Sequence, residues 1–147
     1  FSKHLAQKEY RALCIPLEGG RKPESKFEVK NYLGRMPGKH SRFGSVRSGG
    51  DFAHTFFESL GTIGKALEFA AWPRTGRTHQ IRVHLSELGF PIIGDLTYGG
   101  KQMGVRLMLH ATSLRFKHPI LGQEVIISSP IPEDFEECRQ LLSGERE

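Results

Sequence analysis

Apolar stretches of strand length recur along this chain, each ended by glycine or proline, and only two stretches carry helical spacing. Residues 8–15, KEYRALCI, alternate as a half-buried strand does, and Pro16 with the Gly19–Gly20 pair stops them. Residues 27–33, FEVKNYL, read as a second strand. Residues 53–60 and 66–72 flank a glycine-bearing turn and predict a hairpin. Residues 105–116 read as a buried strand with an irregular middle, and 124–129 as a further strand. The first helix is predicted over 78–88, where Ile81, Leu85 and Leu88 share one face and Gly89 follows as a stop. The second, over 132–142, begins with proline and acids and then turns apolar periodically. Many strands, two helices and no regular βαβ alternation predict an α+β domain over 1–147, with a mixed, mostly antiparallel sheet.

A hydrophobic share of 37% over 147 residues supports a packed core. No apolar run reaches the length of a membrane span. The charge of +5, from 21 basic and 16 acidic residues, permits a polyanion partner through counterion release but equally suits an enzyme of small anions. Cys14 and Cys138 lack the spacing of a redox or metal pair, so reduced thiols and a cytoplasmic location are expected. His79 and His84 are not at the helical spacing of a metal pair, and His110 and His118 have no ligand cluster beside them, so no metal is expected. The opening FSKHLAQKEYR has no secretory core and no initiator Met, and we expect a piece of a longer chain.

The chemistry concentrates in RTGRTHQIRVHL, residues 74–85, where a strand should end and a helix begin. A helix start exposes unpaired N–H groups and the positive end of the dipole. Arg74, Arg77 and His79 there make an anion site. Gly76 lets backbone approach a ligand, Thr75 or Thr78 can cap, and Gln80 and Arg82 add directed donors. The anion is left open: a phosphate, or a carboxylate of the protein itself. No glycine-rich phosphate loop or acidic metal pair supports a phosphate-handling enzyme. Residues 34–50 form a basic loop with Arg35, Lys39, His40, Arg42 and Arg47 among its glycines, either a solvated connection or a contact for a polyanion backbone. Phe43, Phe52, Phe56, Phe57 and Phe69 read as core rather than stacking platforms, and His54, His110 and His118 as structural.

The stretch PRTGRTHQIRVHLSELGFPIIGDLTYGG closely resembles the signature of the RluA-type family of RNA pseudouridine synthases. KEYRAL is similar to that family's Lys-x-Tyr strand, GRMPGKHSRFGSV and GGDFAHTFF to its central block, and RLMLHATSLRFKHPILGQEV with SSPIPEDF to its closing strands and final turn. The resemblance implies cofactor-free isomerisation of uridine to pseudouridine in rRNA or tRNA, on a base flipped out of the RNA. An aspartate attacks, the N-glycosidic bond breaks, the uracil turns and a C–C bond forms. It implies that Tyr10 stacks on the base and that Arg77, with Arg82 as second candidate, pairs with the aspartate. Lys8, Thr75, Thr78, His79, Gln80, Arg82 and Leu109 would surround the substrate, and Arg35, Lys39, Arg42, Arg47 and Arg74 would hold RNA phosphates. The family's His-Arg-Leu-Asp motif does not occur here. Asp51 and Asp134 lie in other contexts, and Asp95 reads as a turn carboxylate. The expectation is therefore the C-terminal part of such an enzyme, inactive alone, with the aspartate supplied by a preceding segment or another chain. The alternative is a non-catalytic RNA-binding module of the same fold.

Overall fold

The computed structural model describes residues 6–19, 22–38 and 42–144. Its strands are β1 (Ala6–Cys14), β2 (Lys26–Arg35), β3 (Phe43–Ser45), β4 (Asp51–Ile63), β5 (Ala66–Pro73), β6 (Leu109–Lys117) and β7 (Glu124–Ser128). They form one sheet in the order β3-β2-β4-β5-β1-β6-β7, and all its ladders are antiparallel, with no mixed component among the described residues. Two helices, α1 (Gln80–Glu87) and α2 (Glu133–Ser143), cover the sheet.

Strand alternation explains which face each helix takes. On β4 Ala53, Thr55 and Phe57 are buried while Phe52, His54 and Phe56 point the other way. On β2 Val29, Asn31 and Leu33 share the inner face, in register with Thr55, Ala53 and Asp51. α1 packs there, because His84 hydrogen-bonds both Thr55 and Asn31. Glu68 of β5 points to the opposite face and pairs with Arg139 of α2, at 2.6 Å. β5 therefore lies between helices, and Ala66 to Ala71 are all buried, which is why ALEFAAW reads as a continuous apolar run rather than an alternating one. The inner core is aromatic. Phe27 stacks on Phe57 at 5.2 Å, and Phe69 contacts Phe57 and Phe90.

The β4–β5 turn needs its glycine. Gly64 has φ 59, and a Cβ there would run into the Leu142 carbonyl at the end of α2. After α1 the chain is stitched beside β1: Ile15 N–H donates to Pro91 O, Ile93 N–H to Leu13 O, and Leu13 N–H to Met108 O. These bonds hold the α1 end of the motif against the strand that carries Tyr10.

Four expectations change. β6 begins at Leu109, because residues 105–108 lie outside any ladder of the sheet except through Met108. α1 starts at Gln80, not 78, because His79 sits in the left-handed region at φ 57. The basic segment is not all loop: Gly34 and Arg35 complete β2, and Phe43, Gly44 and Ser45 pair with it as β3. Phe57 and Phe69 are core, but Phe52 is 38% exposed and Phe43 and Phe56 are half-buried. Both cysteines are free and buried.

Candidate active site

β1, the loop after β5, the start of α1 and the start of β6 converge on a pocket of about 240 Å³. β1 contributes Lys8 and Tyr10, and β6 contributes Leu109. Thr75, Gly76 and Arg77 form the loop side, with His79, Gln80 and Arg82 at the helix start. Residues far apart in sequence meet because β1 pairs with both β5 and β6: Tyr10 lies opposite Ala71 on one side and Ala111 on the other. A Cβ on Gly76 would meet only open space, so the glycine leaves that wall of the pocket low. Thr78 is exposed and is not part of the lining.

Neither threonine caps α1. The reason is Gln80, which is 4% exposed and spends its whole amide on the protein. Its Oε1 accepts from Thr75 Oγ1 at 2.7 Å and from Arg77 N at 3.0 Å. Its Nε2 donates to His54 O at 3.0 Å and to Thr55 Oγ1 at 2.8 Å. Thr55 in turn has one hydroxyl proton, which goes to His84 Nδ1 at 2.9 Å, and His84 Nε2–H donates to Asn31 Oδ1 at 2.8 Å. This chain requires a neutral imidazole, and burial pushes the His84 pKa down to about 4. The expectation that Gln80 offers free donors to substrate is thus corrected: it pins the loop that presents Arg77.

Arg82 is also occupied. Its guanidinium grips Asp95 through two bonds, Nε–Oδ2 at 2.9 Å and Nη2–Oδ1 at 2.8 Å. The Asp95 side chain is fully buried, and the same carboxylate accepts from Tyr98 N as the cap of a 3₁₀ turn, Leu96–Tyr98. Asp95 is a turn carboxylate as expected, and it consumes the second candidate arginine. A buried carboxylate needs such a partner. The hydrogen bonds that Arg82 donates to Asp95 raise the Arg82 pKa. His79 stands beside this pair, with Nδ1 2.7 Å from Tyr98 Oη, which also accepts from Phe43 N. Burial, aided by Arg82, lowers the His79 pKa. Sequence reasoning passed over Tyr98 and the Asp95 pairing; the Asp-x-x-Tyr spacing of a turn was the available signal.

Arg77 differs. It is exposed, its Nε donates to Phe52 O at 2.7 Å, and among the described residues no carboxylate pairs with it. The remaining basic residues frame the site unevenly. Arg42 lies over the Tyr98 ring at 5.2 Å, so it borders the His79 side of the motif. Arg35 lies over Phe43, and Arg47 is exposed; neither lines the pocket. Arg74 lies over Phe56, just outside it. Lys39 falls outside the described residues. Glu87 ties the end of α1 to β3, accepting from Ser45 N at 3.0 Å.

The antiparallel sheet and its helices thus bring Tyr10 and, among the described residues, an arginine with no carboxylate partner to one small pocket. The RNA pseudouridylate synthase family matches residues 1–87, and the chain belongs to that family. An uncharacterised RNA pseudouridine synthase of Mycobacterium bovis is 36% identical over 99% of this chain and 47% of its own length. The ribosomal large subunit pseudouridine synthase D of Neisseria meningitidis is 33% identical over 86% of this chain and 36% of its own. Among solved structures, human RNA pseudouridylate synthase domain containing 1 superposes with a TM-score of 0.70 at 26% identity, over 97% of this chain and 67% of that one. The chain spans about half the length, or less, of these curated relatives.

Proposed function

We propose that this chain forms the base-binding part of an enzyme that isomerises uridine in RNA to pseudouridine. The observation that carries this reading is the meeting of Tyr10, Arg77 and Leu109 at one pocket, from three separate elements. In this reading the flipped uracil enters the pocket with its face against the Tyr10 ring and Leu109 as apolar wall. Arg77 receives the carboxylate of an aspartate from outside the described residues, on a preceding segment or another chain. It holds that oxygen pair as guanidinium holds carboxylate, two-pronged and charge-assisted. The aspartate oxygen bonds to C1′ as the N-glycosidic bond breaks, the uracil turns within the pocket, and its C5 then displaces that oxygen from C1′ to form the C–C bond, C5 losing its proton and N1 gaining one; no cofactor is required.

The name of the Neisseria relative favours ribosomal RNA over transfer RNA as the substrate. Arg42 and Arg74 border the pocket motif and suit phosphate contacts; Arg35 and Arg47 reach RNA only if it extends over the β2–β3 edge. The free, buried Cys14 and Cys138 suit a reducing compartment such as the cytoplasm.

The test is Arg77→Ala in the protein together with the segment that bears the aspartate, with pseudouridine quantified by chromatography of nucleoside digests. Turnover should fall by at least about a hundredfold, as expected for loss of a fixed charge partner in a reacting site. RNA affinity should fall by less than about tenfold, the scale of one lost phosphate-range charge. Equal losses in both would mean that Arg77 merely binds RNA. RNA binding with no turnover in the unmodified protein would favour a non-catalytic module.

A further inference from the structure

We propose that the part of the sheet face opposite α1 that α2 leaves open, over β2, the first half of β4 and the end of β5, is a second RNA contact, a stacking track for the unpaired nucleotides that flank the target base. This rests on the RNA-modifying reading above and adds a surface which that reading does not use.

Five outward positions of β2, β4 and β5, namely Tyr32, Phe52, His54, Phe56 and Trp72, carry aromatic rings where a solvent face is normally polar. Tyr32, Phe52, His54 and Phe56 form an unbroken row of ring contacts, with centroids 5.6, 6.1 and 4.9 Å apart in turn. Trp72 continues the row, in register with Phe56. Tyr32 is 51% exposed and Phe52 38%. Beyond Phe56 the face hollows into an open depression of about 470 Å³ between Phe56, Trp72, Glu28 and Glu58.

Cations accompany the rings. The Arg74 guanidinium lies 5.2 Å above the Phe56 ring and is exposed. Lys30 lies opposite His54 in register. The two carboxylates do not dominate: Glu28 is held by His54 Nε2 at 2.7 Å, and Glu58 sits opposite Lys26. Rings that tolerate any base, with cations for the backbone, are how unpaired RNA is held without sequence readout. Aliphatic side chains, which a protein-docking groove would add, are missing from the outward positions of residues 26–32 and 52–58.

The track lies on the opposite face of the sheet from the pocket, and the loop after β5 links the two. Arg74 N donates to His54 O at 2.8 Å, and Arg77 Nε donates to Phe52 O at 2.7 Å. The loop that borders the pocket is therefore bonded directly to the strand that carries the row. A base flipped into the pocket leaves its neighbours without a stacking partner, which the rings beyond this loop would supply.

Trp72 is the only tryptophan of the chain, so its emission reports on the track. The protein is titrated with an end-labelled single-stranded oligouridylate at low salt, following anisotropy and Trp72 emission together. We expect quenching of Trp72 in parallel with the anisotropy rise. Phe56→Ala and, independently, the exposed Tyr32→Ala should each weaken binding by at least about fivefold, the scale of one lost base–ring stack. Quenching should persist in Arg77→Ala. Binding by anisotropy with Trp72 emission unchanged and both variants unaffected would overturn the track alone, and would leave this face to a protein partner. No anisotropy rise at all would overturn the RNA-modifying reading as well.

Discussion

Arg77 and Arg82 stand in one basic run and live in opposite surroundings. Arg82 is closed: a fully buried carboxylate takes it through two hydrogen bonds, and the Tyr98 ring lies against it at 5.1 Å. Arg77 is open: among the described residues its guanidinium donates to a backbone carbonyl and meets no carboxylate, and the residue lines the pocket. The difference teaches that charge in a motif is divided between holding the fold and doing chemistry, and that burial of the partner decides which. Without Arg82 the fully buried Asp95 carboxylate would lack its charge partner. Arg77 is left with the capacity that an incoming anion would use. Between them Gln80 and His84 spend every hydrogen bond on the protein, so the open arginine rides on a rigid support.

The sharpest way to break this comparison is to open the closed pair. Asp95→Ala leaves Arg82 partly buried and unpaired and removes the cap of the 3₁₀ turn. Unfolding in urea should show a loss of about 3 to 5 kcal/mol, the range for breaking a buried pair from one side. A loss below about 1 kcal/mol would mean that the pair is not structural.

The support under Arg77 is tested by pH. The unfolded chain protonates His84 near 6.5, whereas the folded chain resists until about 4. Between these values the unfolded state binds more protons, so stability is complete above pH 6.5 and falls as pH drops toward 4. The contribution lost over this window is roughly 3 kcal/mol. His84→Gln should flatten that part of the stability curve; an equally steep acid limb in both proteins would place the proton elsewhere.

The smallest effect belongs to the open arginine. Arg77→Ala should leave stability within about 0.5 kcal/mol, as for an exposed side chain away from structural features. A loss comparable to that of Asp95→Ala would erase the contrast between the two positions.

Much of the fold is legible, since most strands carry a pattern and a stop of their own. KEYRALCI and FEVKNYL alternate, and the β4–β5 hairpin announced itself by its glycine turn. What stayed hidden depended on partners distant in the chain. β3 is only Phe43–Ser45, too short to show a period, and it exists because β2 pairs with it, Tyr98 Oη accepts from Phe43 N, and Glu87 accepts from Ser45 N. The helix starts two residues later than its spacing predicts, because nothing local predicts a left-handed histidine; His79 holds φ 57 in a setting where its ring meets Tyr98 and Phe43. At the site, Tyr10, Arg77 and Leu109 were legible as types in a recognised pattern. That Gln80 and Arg82 are consumed internally was not, because hydrogen-bond partners are not written in spacing.

The sequence alone determined where the chain extends, turns and coils, and where positive charge gathers, because those follow from local periodicity, glycine and proline, and residue chemistry. Tertiary structure decided which face of each strand is covered. Alternation fixes that Phe56 and Phe57 point to opposite sides, but only the placement of α1 on one side makes Phe57 core and leaves Phe56 outside. It also decided which arginine is free, because only the folded chain brings Asp95 to Arg82 and leaves Arg77 beside Tyr10.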